Sequence, residues 1–332
     1  MSFSACFPES RPKTFFRVPM ELQRLSAETY AEIFPAPYHV YNSVDFNQFN
    51  ADRLGLELHC LAFKTKKYKL GLLGVVQDGA FKSPFSAPFG GFSFVKDDVR
   101  IQHLDQALDT LQKDCLTQGV SKMEFTLPPL FYNPSFLGKT YNALHSHGFT
   151  VMQMELNHSI HLAGQTIESY QQTFRRNAQK NLANAETKDF SFSICETEAE
   201  KRLAYEVIKQ NRFTRTKPLR MGFEQLLLTG SLIPSDFFLV RLAGEPVAAA
   251  IVFQVSKGIA QIIYWGDLPG FAANRTMNYL SFQLVNYYLA KGVQVIDVGY
   301  STEDSVPNYG LCDFKESIGC TAYPKLSFSK TL

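Results

Sequence analysis

Asp236-Phe-Phe-Leu-Val-Arg-Leu242, Pro246-Val-Ala-Ala-Ala-Ile-Val-Phe-Gln-Val255 and Ile259-Ala-Gln-Ile-Ile-Tyr-Trp-Gly-Asp267 are three apolar runs separated by short turns at Gly244-Glu245 and Lys257-Gly258. Runs of this length joined by glycine turns read as antiparallel strands. The next segment, from about Ala273 to Lys291, puts Met277, Leu280, Leu284 and Tyr288 on one face of a helix and stops at Gly292. Val293–Val298 then reads as a further strand. Strands that fold back on one another before a helix and a returning strand give a mixed sheet with helical cover, an α/β (α+β) layer fold.

The same order occurs earlier. Leu56–Lys64, Lys69–Val76 and Ala80–Ala87 read as strands. A helix with Leu104, Ala107, Leu108, Leu111 and Cys115 on one face ends at Gly119, and Lys122–Leu127 follows as a strand. Repetition of one element order over about half the chain points to an internal duplication. Between the blocks, the sequence predicts a loop over Leu127–Pro134, a helix over Ser135–Ser146, an extended run over Gly148–Leu162, and one continuous helix over Thr166–Glu186. The boundary is expected near Leu162–Gly164, giving units 1–162 and 163–332.

Composition narrows the function classes. The 332 residues are 45% hydrophobic and 19% charged, which supplies packed cores. The 33 Lys+Arg and 31 Asp+Glu leave a net +2, unlike a nucleic-acid coat or an acidic solvating protein. Aromatic residues make up 14%, a share best placed in two aromatic-filled cores because no stacking signature clusters on adjacent strands. Charge is uneven: Arg175–Arg220 holds 11 Lys/Arg and 6 Asp/Glu, a local +5, so the remainder carries −3. Met1-Ser-Phe-Ser-Ala-Cys6 lacks a basic then apolar leader, and six cysteines without a Cys-x-x-Cys pair suit a reduced, cytoplasmic protein. No apolar run reaches a membrane span. His145-x-His147 and His158-x-x-His161 lack further ligands at metal spacing, so no metal is expected. Neither a Gly-x-Ser-x-Gly elbow nor a P-loop is present.

The loop Leu268-Pro-Gly-Phe-Ala-Ala273 precedes a helix start at Asn274-Arg275-Thr276. Free amides and the positive dipole end there favour a phosphate. The placement resembles the acyl-CoA transferases of the GNAT superfamily, although only Gly270 of their Arg/Gln-x-x-Gly-x-Gly/Ala signature is kept. Further on, Ile296-Asp-Val-Gly-Tyr-Ser301 and Asn308-Tyr-Gly-Leu-Cys-Asp-Phe-Lys-Glu-Ser-Ile-Gly319 resemble the FemABX-like branch of that superfamily. Ser83–Gly91 is similar to that branch's first-domain loop, and Phe174–Ala185 to its Arg/Asn-rich helix. Tyr300 and Ile318 depart from its pattern, and no long coiled-coil hairpin is inserted.

The resemblance implies two tandem GNAT-like domains, each a mixed, mostly antiparallel sheet flanked by helices. It also implies N-acyl transfer to an amine by direct attack, with acyl-CoA the preferred donor. An aminoacyl-tRNA donor is the alternative, and a non-catalytic module that keeps the fold is another. Expected acceptors are a small-molecule amine or a cell-envelope precursor; tRNA is possible as a partner, and neither DNA nor a membrane span is expected. The resemblance sets Lys315 beside the transfer centre as an oxyanion-stabilising ammonium. Asp297, at a strand end, and Tyr300 and Tyr309, as proton donors to a departing thiolate, complete the expected catalytic set. Tyr264, Trp265, Gly266, Gly270, Asn274, Arg275 and Thr276 are the expected donor-binding residues, and Arg175, Arg176 and Arg212 the expected phosphate clamps.

Overall fold

A computed structural model describes residues 19–216 and 219–332; the reading of Met1–Cys6 lies outside them. The first half runs β1 (Glu21–Leu25), α1 (Ala27–Ile33), α2 (Val44–Leu54), β2 (His59–Lys64), β3 (Tyr68–Gln77), β4 (Ala80–Ser83), β5 (Phe92–Phe94), α3 (Ile101–Thr117), β6 (Lys122–Thr126) and α4 (Pro134–Ser146). Then come β7 (Thr150–His161), α5 (Ile167–Gln172), α6 (Arg176–Glu186), β8 (Phe190–Ile194), α7 (Glu198–Thr214), α8 (Phe223–Leu232), β9 (Ser235–Leu242), β10 (Glu245–Ser256) and β11 (Ile259–Asp267). The chain ends with α9 (Thr276–Ala290), β12 (Val295–Tyr300), the small hairpin β13 (Thr302–Glu303) and β14 (Val306–Pro307), α10 (Tyr309–Ser317) and β15 (Thr321–Thr331).

One sheet runs through both halves in the order β1-β2-β3-β4-β6-β15-β7-β12-β11-β10-β9-β8, with β5 attached to β3. Among the described residues, only β4–β6 and β11–β12 are parallel pairs. Each half therefore has one parallel pair, joined by a helix that ends two residues before a left-handed glycine, Gly119 or Gly292. The last strand, β15, lies between β6 and β7 and is antiparallel to both, so the C-terminus stitches the two halves. α9 and α6 cover one face of the second half through Leu280, Leu284, Tyr288 and Leu182. The opposite face packs under α7 and α8 and is continuous with the aromatic core of the first half, which includes Phe63, Phe89, Phe92 and Phe125.

Three expectations are corrected. The strand from Ala80 stops at Ser83, because Pro84 and Pro88 have no amide to give to a ladder. The helix over Thr166–Glu186 breaks into α5 and α6. Arg175 at the break is extended (φ −62°, ψ 151°), and its amide donates to the Ser317 carbonyl at 2.9 Å. The helix expected from Ala273 begins at Thr276, after a short turn over Ala272–Asn274. Arg275 before it is left-handed, with φ 61°.

Candidate active site

β11 and β12 pair over three residues only: Ile259 with Val295, Ala260 with Ile296 and Gln261 with Asp297. Beyond Gln261, β11 continues to Asp267 held by β10 alone, and β12 continues to Tyr300 held by β7 alone. The sheet is thus parted between its two parallel strands. Irregularities help to part it. The β10–β11 register shifts between Tyr264 and Ile262, leaving Ile263 without a partner across β10. On the other strand, the β12–β7 register shifts between Asp297 and Gly299, and Gly299 takes φ 76°.

The fork is pinned by Asp297, which is fully buried. On β12, Ile296 and Val298 face α9, so the intervening Asp297 faces the first half. Its Oδ2 accepts from Tyr132 Oη at 2.8 Å and from Gln261 Nε2 at 2.7 Å. Its Oδ1 accepts from Asn157 Nδ2 at 2.7 Å and from the Gly299 amide at 2.9 Å. Tyr41 Oη in turn donates to Gln261 Oε1 at 2.5 Å. Burial first, and then the Asp297 charge, push the Tyr41 and Tyr132 phenols well above their ordinary range, so both stay donors. A carboxylate held by four donors positions a backbone; it has little capacity left for a substrate proton.

Lys315 lies on α10, whose first turn is capped by Asn308 accepting from the Leu311 amide. The side chain is 2% exposed. Its Nζ donates to the carbonyls of Val298, Gly299 and Tyr300 at 3.1, 2.8 and 3.1 Å. All three ammonium hydrogens are thereby matched by the strand end that has left the ladder. Burial pushes the Lys315 ammonium down to about 8. The side chain expected to face an oxyanion is engaged with backbone in this conformation.

The two faces of the opening differ. On the α9 side, Trp265 meets Phe314 with centroids 6.1 Å apart. On the opposite side, the Arg212 guanidinium lies 5.7 Å from the Tyr264 ring, with its Nε buried and without a partner among the described residues. Tyr300 is 44% exposed, and Tyr309 is more exposed still. Gly266 is a packing glycine: a Cβ there would come within 2.5 Å of Asn211, which donates to the Asp267 carbonyl. Gly270 is a left-handed turn residue in open space. Asn274 and Arg275 form the approach to α9, whose N-terminus has no side-chain cap; its first residue, Thr276, is fully buried and donates its hydroxyl to the Phe271 carbonyl, so the side chain does not face a donor.

Arg175 pairs with Glu316 and Asp313 on α10, whereas Arg176 is exposed at the start of α6. The structure therefore gathers Lys315, Asp297, Tyr300, Tyr264, Trp265 and Arg212 around the parted strands, while Arg175 braces α10. Sequence reasoning missed Tyr41, Tyr132, Asn157 and Gln261. Their signal is the buried carboxylate itself, which requires donors, but they lie from 36 to 256 positions along the chain from it or its partner, beyond any local spacing. Among the described residues, no group of three His, Cys, Asp or Glu side chains is placed to hold a metal, and no helix is long and apolar enough to cross a membrane.

The corresponding opening in the first half is closed. After β4 ends, the chain returns across β6: the Gly90 amide donates to the Thr126 carbonyl at 2.8 Å, and the Gly91 amide to Ser83 Oγ.

Comparison of the backbone with solved structures locates this architecture. FemX superposes with a TM-score of 0.68 at 11% identity, over 94% of this chain and 97% of that one. The chain has the FemABX-like, tandem GNAT fold. The C-terminal domain of a putative lysylphosphatidylglycerol synthetase from Agrobacterium fabrum gives 0.58 at 10% identity, covering 92% and 93% of the two chains. A tandem GNAT protein of the clavulanic acid biosynthesis pathway gives 0.51 at 8%, covering 94% and 98%. No family profile and no curated protein sequence matches. Within this tandem GNAT fold, the parted strands lie in the second half, beside α9 and α10.

Proposed function

We propose that the second half is an acyltransferase unit that moves an acyl group from acyl-CoA to an amine. The observation that carries this reading is the parting of β11 and β12 beside an α9 N-terminus without a side-chain cap. The leading amides of a helix carry partial positive charge and suit the carrier's phosphates. Gly270 and the exposed Arg275 border that cradle. The acyl arm then runs along residues 262–267 of β11, whose free edge offers backbone amides to the thioester carbonyl. The acceptor nitrogen attacks that carbon, a C–N bond forms and the C–S bond breaks. The amine's proton goes to water, and the departing thiolate takes one from Tyr300 or Tyr309. Lys315 contributes by holding the end of β12 in place, and proximity supplies much of the acceleration.

Acetyl-CoA at millimolar concentration is expected to raise the melting temperature, because a ligand that binds only the folded state stabilises it by about 2.7 kcal/mol at a hundred times Kd. Ala273→Glu puts an anion at the exposed turn before α9. An acid there leaves the helix itself stable and should weaken CoA binding by about tenfold or more, the effect of ~1.4 kcal/mol of repulsion. Equal affinity in both proteins contradicts the cradle.

The cationic run over 175–220, with Arg176, Lys180 and Arg215 exposed, favours an aminoacyl-tRNA donor as a second reading. Salt-sensitive tRNA retention without a CoA-dependent shift would select it. Absence of both responses would leave a non-catalytic module.

A further inference from the structure

Lys325 on β15 is used by none of the chemistry above. It is 8% exposed, and its cross-strand neighbour on β7 is Glu155. Among the described residues, its Nζ makes one hydrogen bond, a long one of 3.4 Å to the carbonyl of Pro88 in the first half. No carboxylate forms an ion pair with it among those residues. Asp297 is already committed to its four donors. Glu155, also buried, accepts from the Thr302 hydroxyl and from the Ser305 amide. Two of the three ammonium hydrogens are therefore unspent. Asp297 and Glu155 act on Lys325 only through space, without an ion pair among the described residues. A buried ammonium without a direct ion-pair partner is costly to the fold, and a ligand anion would supply the contact that the chain withholds.

The surroundings say where such an anion would lie. The Tyr300 ring rests over Nζ at 4.6 Å from its centroid, and this ring is nearly half exposed. An exposed ring on a buried cation is a cover that a ligand can displace. Tyr300 is also the residue whose carbonyl Lys315 holds, so the spare ammonium sits at the very end of the parted strand. It lies toward the first half, away from the α9 face. Arg220 couples electrostatically to Lys325 and carries the same sign.

The geometry points to an anion subsite at Lys325, between the two halves, that takes a carboxylate or phosphate group of the acceptor. This inference rests on the acyltransferase reading for the word acceptor; the anion site itself does not depend on it.

Thermal unfolding of the full chain tests it with three ligands built on one phenyl ring: phenyl phosphate, benzoate and benzamide, the neutral isostere of benzoate. A rise of a few degrees is expected with one or both anions and none with benzamide, and the anion that acts names the source. Lys325→Met should melt at or above the wild type without ligand and lose the anion-dependent rise. Lys325→Gln, which keeps a donor for Pro88 but drops the charge, should lose it too. Ala273→Glu should keep the rise with whichever anion acts on the wild type, and Lys325→Met should keep the acetyl-CoA rise. Loss of the acetyl-CoA response in the wild type thus strikes the donor reading, whereas loss of the anion response strikes only the subsite. The subsite is overturned by equal shifts in wild type and Lys325→Met, which would mean adventitious binding, or by no shift with either anion. It is also overturned if Lys325→Met melts well below the wild type while Lys325→Gln does not, because Lys325 is then a tether to Pro88.

Discussion

Asp297→Ala is expected to cost the fold about 4 kcal/mol, the scale for removing one partner from a buried charged network, read as a lower urea midpoint at unchanged slope. Four donors converge on this carboxylate; among the described residues the Tyr132 hydroxyl makes no other hydrogen bond, and Asn157 Nδ2 has besides it only a longer one, 3.4 Å, to the His158 carbonyl. Each orphaned donor loses on the order of 1–3 kcal/mol, softened by local relaxation and entering water. Asp297→Asn should lose less, because an amide keeps one acceptor but turns a donor toward donors. Tyr132→Phe alone should be mild, and its effect should shrink in the Asp297→Ala background, since the two share one hydrogen bond. A loss under ~1 kcal/mol for Asp297→Ala, at the level of an ordinary surface substitution, would mean that the fork is not held by this network.

Lys315→Met is expected to lower both stability and turnover. The three carbonyls of Val298, Gly299 and Tyr300 would lose their shared donor, a loss of about 2 kcal/mol after the gain from removing a buried charge is set against it. The pH dependence gives a sharper reading. Burial lowers the Lys315 ammonium from 10.5 to about 8 in the folded protein. Between those values the unfolded chain binds more protons than the folded one, so this group's contribution to stability rises with pH across pH 8 to 10.5 and is lost as pH falls through 8. The gap in unfolding free energy between wild type and Lys315→Met should therefore widen above pH 8. A constant gap from pH 7 to pH 10 would show that Lys315 is not desolvated as described. Turnover that falls while stability and its pH profile stay unchanged would instead assign the ammonium to the reacting atoms.

Much of the fold was legible because its period was local. The run from Asp236 to Asp267 has turn glycines at both hinges, and α3 and α9 keep their apolar faces at helical spacing. The repeated order of strands, helix and glycine became two parallel pairs in one sheet. The break at Arg175 was not legible, because it is made by a carbonyl 142 positions away, at Ser317. The same holds for β15, whose place between β6 and β7 depends on partners in both halves. At the site, Lys315 and Asp297 stood out as motif residues and do sit together, but their neighbours recast them. Asp297 is saturated by donors scattered over the chain, from Tyr132 and Asn157 to Gln261 and the Gly299 amide, and Lys315 by backbone that no side-chain pattern encodes. Lys325 gave no signal at all, since an alternating strand position says only which face it takes.

We propose that the free edge of β11 and the leading turn of α9 receive a phosphate-bearing acyl donor. Hydrogen–deuterium exchange of the full chain, with and without acetyl-CoA, measures those amides one segment at a time. Donor-dependent protection confined to peptides spanning 262–267 and 272–280 is the predicted result; unchanged exchange there, or protection gathered on the first half instead, would contradict it.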